Sequence, residues 1–130
     1  MIEEATRVLE AATAASSKKA ERITILDVSR LLVITDYFLI CSGNTERQVR
    51  TIAGEIERQL IELHGLKPAR REGERDSRWV VLDYLDFVVH VFHREDRDYY
   101  DLERLWADAP VVPYEQDWEG RDEPAAAEAT

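Results

Sequence analysis

The stretch RWVVLDYLDFVVHVFH, Arg78 to His93, constrains the fold of this chain more than any other. Two runs rich in β-branched and aromatic residues, Trp79–Tyr84 and Phe87–Phe92, are parted only by Leu85 and Asp86, so the pattern predicts two neighbouring strands. Alternation puts Val80, Leu82 and Tyr84 on one face of the first strand and Trp79, Val81 and Asp83 on the other. Apolar residues therefore occupy both faces. A sheet made of such strands must be covered by helices on one side and by something else on the other. Trp79 and Tyr84 cannot be buried on the same side of one regular strand, so one of them faces away from the helices.

The covering helices are also written in the sequence. Thr45 followed by Gln48 has the spacing of a capping box, and Val49, Ile52, Ala53, Ile56, Leu60 and Leu63 then fall on one helical stripe until Gly65 offers a stop. A first amphipathic helix is expected from about Ile2 to Ala20, with Ile2, Ala5, Leu9 and Ala12 at helical spacing. Between them, Ile23–Val28 and Tyr37–Ser42 read as two antiparallel strands joined by a segment with apolar residues of its own. KPARREGERDS reads as a charged, solvated loop with a short edge strand near Leu66–Ala69. Asp98 is placed to cap a last helix in which Tyr99, Leu102, Leu105 and Trp106 approach one face, with Pro110 just beyond its end. Helix, strand pair, helix, strand pair, helix is the order of an α/β domain, a small mixed sheet flanked by helices over residues 1–110. Residues 111–130 form a low-complexity acidic tail, expected to be disordered, that holds about half of the formal charge.

A formal net charge of −10 argues against direct DNA or RNA binding, because phosphate backbones are met by clustered Lys and Arg. The same charge would steer a basic protein partner towards the surface. No apolar run approaches the ~20 residues of a membrane span, and Glu3 and Glu4 stand where a targeting signal would be basic, so a cytoplasmic protein without membrane contact is expected. Cys41, the single cysteine, lies in the apolar run YFLICSG and reads as a small buried hydrophobe. With His64, His90 and His93 it makes no zinc-ligand spacing, so neither a metal nor another cofactor is expected.

Asp83 and Asp86 are the candidates for chemistry. A magnesium-dependent nucleotidyltransferase would need them to converge, together with further oxygen ligands and substrate phosphates. Their spacing across a turn does not require convergence, and no glycine-rich loop with a lysine supplies a phosphate cradle. Ser42-Gly43-Asn44 ahead of the long helix reads as an ordinary capped turn for the same reason. Turn-forming aspartates that face solvent or a partner are the preferred reading. His90, on the same strand face as Val88 and Phe92, reads as a hydrogen-bonded packing residue; His93, at the strand end, as exposed; His64 as a favourable charge in the last turn of the long helix. Trp79, Tyr84, Tyr99, Tyr100 and Trp106 gather in the last third of the domain, where aromatic residues suit an interface, although Trp106 suits a core equally well.

Three blocks, ITDYFLICSGNTERQV, RWVVLDYLDFVVHVF and YYDLERLW, resemble in order and spacing the signature blocks of the ribosomal silencing factor family (RsfS, or Iojap-like, proteins). The resemblance spans roughly Val8 to Pro110 and leaves the acidic tail outside. It implies a nucleotidyltransferase-like fold without established transferase activity, and hence no enzyme. It also implies a binding protein that attaches to ribosomal protein fourteen of the large subunit, blocks joining of the small subunit by occlusion, lowers translation when nutrients are scarce, and forms a homodimer when free. Carried onto matching positions, the resemblance makes Trp79, Tyr84, Tyr99 and Tyr100 aromatic anchors, Leu102 an apolar contact, and Asp83 and Asp86 acidic steering groups. Leu85 stands where the family often has glycine, and Arg94 where it often has proline. The hairpin tip and the entry to the last helix are therefore where this chain is expected to differ.

Overall fold

The computed structural model describes residues 2–114; the stretch expected to be a disordered tail falls, from residue 115 on, outside the described residues. The long helix, α2, spans Glu46–His64. Thr45 is extended, with φ −139° and ψ 160°, and its hydroxyl accepts a hydrogen bond from the Gln48 N–H at 3.0 Å. The Gln48 side chain answers one residue earlier than a strict capping box would, taking the Asn44 N–H at 2.7 Å. At the other end Gly65 adopts φ 63°, and the N–H groups of Gly65 and Leu66 close onto the carbonyls of Ile61 and Leu60. Val49, Ile52, Ala53, Ile56 and Leu60 are buried as the stripe requires, whereas Leu63 is exposed where the stripe runs past the sheet. Thr45→Ala removes one of the caps and is expected to cost about 1 kcal/mol of stability, read as a lower urea midpoint with an unchanged slope.

Helix α1 (Ile2–Ser17) lies beside α2. Its inward positions Val8, Ala11, Ala12 and Ala15 have no exposed surface, and the three alanines let the two helices sit close together on the sheet. Beneath them run β1 (Glu21–Asp27), β2 (Tyr37–Gly43), β3 (Arg70–Glu72), β4 (Trp79–Asp83), β5 (Phe87–His93) and β6 (Val111–Val112), in the spatial order β3-β4-β5-β2-β1-β6. β1 and β2 are antiparallel, as are β4 and β5, and the two pairs meet through a parallel β2–β5 contact. The fold is thus an α/β domain with a six-stranded mixed sheet. Ile25, Leu39, Cys41, Leu82, Phe87, Val89 and Val91 point into the core under α1 and α2. Leu26, Val28, Phe38, Ile40 and Phe92 point the other way, into a smaller cluster closed in part by Leu102, Trp106 and Ala109.

Three expectations need correction. The helix expected to start at Asp98 starts at Arg94, directly after β5: α3 spans Arg94–Tyr100 and a short α4 spans Leu102–Leu105, the two parted by Asp101 at φ 49°. Its cap is His93, whose Nδ1 accepts the Glu95 N–H at 3.2 Å, with Glu95 and Asp96 in the first turn suiting the helix dipole. His93 is therefore buried and not exposed, while Asp98 lies inside α3 and pairs with Arg22 at 2.7 Å. The break at Asp101 also turns Leu105 out to solvent. The edge strand falls on Arg70–Glu72 rather than near Leu66–Ala69, held by ion pairs from Arg70 to Asp83 and from Arg71 to Glu57. At the opposite edge Val111 and Val112 pair with Leu26 and Ile25, which adds β6 to the sheet.

Candidate docking face

Since α1 and α2 cover one side of the sheet, the site is sought on the other, where α3, α4 and the chain after them close only part of the surface. Trp79 opens β4 on this side. Its ring stacks on Phe92 with centroids 4.7 Å apart and leans on Tyr100 at 4.9 Å, while Tyr99 meets Tyr100 edge-on at 5.0 Å. Two features fix this group. Gly73, at φ 83°, lets the turn before β4 pass so close that a Cβ there would sit 1.9 Å from the Trp79 carbonyl oxygen. Arg78 bonds Glu46 at 3.1 Å, Glu95 at 3.2 Å and Asp96 at 2.6 Å, tying the starts of α2 and α3 to the start of β4. Tyr99 and Tyr100 are thereby held beside Trp79 while remaining 81% and 48% exposed.

Asp83 closes the same strand about 13 Å further on, at ~3.3 Å per residue. Both its oxygens are engaged: Oδ1 accepts the Leu85 N–H at 2.8 Å and Oδ2 pairs with Arg70 at 3.2 Å. Leu85 takes φ 75°, the conformation for which glycine is suited, and the bond from Asp83 holds it there. Its side chain stands exposed at the hairpin tip beside the exposed Asp86, whose carbonyl accepts the Asp36 N–H at 2.9 Å. Asp83 is thus committed to a turn and an ion pair. Among the described residues, no three His, Cys, Asp or Glu side chains gather where they could hold a metal ion.

Between the aromatic group and the hairpin tip lies a cleft of about 340 Å³, lined by Leu32, Ile34, Thr35, Phe38, Arg70, Asp83, Leu85, Val88 and His90. Reasoning from the sequence missed this cleft. Its signal was LLVIT, residues 31–35, an apolar run with no strand to bury it, and in the structure Val33 is fully exposed and Ile34 82% exposed. His90 is the hydrogen-bonded packing residue expected. Its Nδ1 accepts the Trp79 indole N–H at 3.1 Å, and its ring meets Phe38 edge-on at 4.9 Å.

Two candidate anchors stand apart from this face. Tyr84 points to the helix side, 4% exposed and stacked on Phe87, and burial pushes its phenol well above the usual tyrosine range. Leu102 is 8% exposed inside the smaller cluster. The structure therefore brings together Trp79, Tyr99 and Tyr100 at one end of the face and Asp83 and Asp86 at the other, with Tyr84 and Leu102 packed beneath the surface. Trp79, not Tyr84, is the residue that faces away from the helices.

Burial draws His90 down from about 6.5 to about 4. The unfolded chain takes up a proton there at higher pH than the folded chain does, so this contribution is full above about pH 6.5 and is lost as pH falls towards about 4. Asp83 and Arg70 share the cleft with the imidazole, but Arg70 is paired to Asp83 and neither bonds the ring. Between about pH 7 and pH 5 the expected loss is about 2 kcal/mol, and urea unfolding of His90→Asn across the same range should lack it.

The fold and this face define a class: an α/β domain with a helix-covered side and an open side of aromatic and aliphatic groups flanked by carboxylates. A family model described as "Ribosomal silencing factor during starvation" matches residues 2–130, past Pro110 and through the acidic stretch that the sequence blocks left outside. A Bacillus subtilis protein named ribosomal silencing factor RsfS is 48% identical over 102 residues, covering 78% of this chain and 86% of that protein. The chloroplastic Iojap protein of Zea mays is 35% identical over 101 residues, covering 78% of this chain and 43% of that longer protein. Among solved structures, a Bacillus halodurans protein superposes with a TM-score of 0.72 at 42% identity, covering 83% of this chain and 98% of that one. The chain belongs to the ribosomal silencing factor (RsfS) family. No helix among the described residues is long and apolar enough to cross a membrane.

Proposed function

We propose that this protein silences ribosomes by docking its open sheet face on ribosomal protein fourteen of the large subunit, where it covers the surface on which the small subunit joins and so lowers translation under nutrient limitation. The observation that carries this reading is the unequal cover of the sheet: large aromatic side chains are fixed by Arg78 and Gly73 on the side that lacks the long helices. The relatives named ribosomal silencing factor support the role. Trp79, Tyr99 and Tyr100 act as anchors, and Asp86, with the Asp83–Arg70 pair, gives the rim a charge suited to a basic partner. Tyr84 and Leu102 contribute from beneath, one seating the hairpin against α2 and the other seating α4. In the free protein the same apolar face, with Val33, Ile34 and Leu85 in solvent, is available to a second copy as a homodimer contact.

Sedimentation of purified large and small subunits at associating magnesium concentration tests the proposal directly. The protein should travel with large subunits, and whole ribosomes should diminish as it is added. Whole ribosomes forming normally, with the protein left at the top of the gradient, would remove the support for occlusion.

A further inference from the structure

Two residues that line the cleft with Leu32, Ile34, Phe38 and Val88 each carry a buried polar atom without a hydrogen-bond partner, Nε2 of His90 and Oγ1 of Thr35. An indole N–H can only donate, so the Nδ1 that accepts from Trp79 carries no proton. Burial keeps the ring neutral, which leaves the proton on Nε2. Nε2–H is thus a donor whose direction is set by Trp79 and whose acceptor is missing. Such a group is costly to leave buried, and a partner that supplies the acceptor recovers that cost on binding.

The cleft's outer lip suits it to receive something. Val33 and Ile34 stand in solvent with little to hold them, and Leu85 faces them from the hairpin tip, to which the loop is joined by the Asp36–Asp86 backbone bond. Carboxylates stand at its mouth: Asp83 lines the cleft, paired with Arg70, and Asp86 is exposed beside Leu85 at the hairpin tip. An apolar recess with a carboxylate at its mouth and an inner donor specifies its occupant in three ways: aliphatic bulk, neighbouring positive charge, and an oxygen to accept a hydrogen bond.

We propose that this cleft is the selectivity pocket of the docking face: it takes one aliphatic side chain from a basic protein segment, and that segment's main-chain carbonyl accepts the hydrogen bond from His90 Nε2 as the Ile34–Thr35 lip gives way. The inference rests on the docking function proposed above and adds the chemistry of what the face selects. Thr35 Oγ1 is the second polar group available to the same segment.

Two substitutions and one labelling measurement test it, all on the full chain with purified large subunits. His90→Asn retains an oxygen near Nδ1 to accept from Trp79 but has nothing at Nε2, and is expected to weaken binding by ~10-fold or more. His90→Gln reaches the Nε2 position with an amide N–H and should bind within ~3-fold of the unchanged protein. Melting curves of both variants establish that they fold. Independently, Ile34→Cys offers a maleimide one accessible thiol, since Cys41 is fully buried and its thiol is pushed up to about 12. Saturating large subunits should slow labelling at position 34 by ~10-fold or more, as expected for a site covered by a partner.

Equal binding by His90→Asn and the unchanged protein, or labelling that large subunits do not slow, overturns the pocket while cosedimentation of the unchanged protein leaves the docking function intact. If the unchanged protein itself fails to sediment with large subunits, both proposals fall. If His90→Asn weakens only self-association, measured by analytical ultracentrifugation, the occupant is a second copy and the basic segment is rejected.

Discussion

Arg97→Met should be among the most destabilising single substitutions in this domain, lowering the free energy of unfolding by about 3 kcal/mol. Arg97 is 1% exposed and binds three partners at once: Glu103 at 2.6 Å, the Glu21 carbonyl at 3.3 Å and the Thr24 hydroxyl at 3.3 Å. One side chain thereby joins α3 to α4 and both to β1. Methionine fills much of the volume but leaves the Glu103 carboxylate without its counter-charge, and Oε1 of Glu103 is already buried without a partner. Burial alone would raise the Glu103 pKa; hydrogen bonding and charge from Arg97 outweigh it and hold the carboxyl below the usual range. The cost is set near the lower end for a broken buried pair because the Glu103 side chain is 26% exposed and can recover some water. Urea unfolding measures the loss. Adding Glu103→Leu to Arg97→Met should restore part of it, since an apolar replacement of both partners strands no charge. A single-variant loss below ~1 kcal/mol would mean the pair is not what joins the two short helices. Because Tyr99 and Tyr100 lie in α3, Arg97→Met should also weaken attachment to large subunits under conditions where it is still folded.

The legible parts of this fold follow short-range rules, and the missed parts do not. Period-two alternation identified both faces of β4 and put Trp79 and Tyr84 on opposite sides, because a strand's side-chain direction depends on nothing outside it. The stripe from Val49 to Leu60 and the Gly65 stop were equally local. The start of α3 was misplaced because its cap is an imidazole on the last residue of β5, and the preferred capping residue Asp98 lies further on, inside the helix, where it pairs with Arg22 instead. Asp101 breaks the helix by adopting φ 49°, and the residue type alone does not announce that choice. As for the site, Trp79, Tyr99 and Tyr100 were legible as aromatic residues of the last third of the domain, and in the structure Tyr100 joins the other two. The cleft was not, since residues 32–38, 70 and 83–90 line it only after β2 pairs with β5 and the loop between β1 and β2 reaches the hairpin tip. Tyr84 shows the converse limit. Sharing a sequence block with the anchors placed it among them, while the sheet's pleat sent it to the other side.

Trp79→Ala should reduce affinity for large subunits by ~100-fold or more, about 3 kcal/mol, the scale on which a central aromatic anchor acts. The substitution removes the ring that rests on Phe92 and supports Tyr100, and it also removes the donor that fixes the His90 tautomer. Some of the effect will therefore be structural, and the comparison that separates it is Tyr99→Ala. Tyr99 is 81% exposed, so its truncation should change stability by less than ~0.5 kcal/mol while still weakening binding by ~10-fold. Trp79→Phe provides the second control: it keeps an aromatic ring against Phe92 and Tyr100 but lacks the indole N–H, so it should retain more affinity than Trp79→Ala and leave Nδ1 of His90 free to take the proton. Binding constants from sedimentation, set beside the melting temperature of each variant, distinguish contact from support. Loss of affinity in Tyr99→Ala at an unchanged melting temperature places the partner on the aromatic end of the open face. Unaltered affinity in both Tyr99→Ala and Trp79→Ala, with the fold intact, would move the docking surface elsewhere. The exposed Ile61 and Leu63 on α2 would then be the next side chains to truncate.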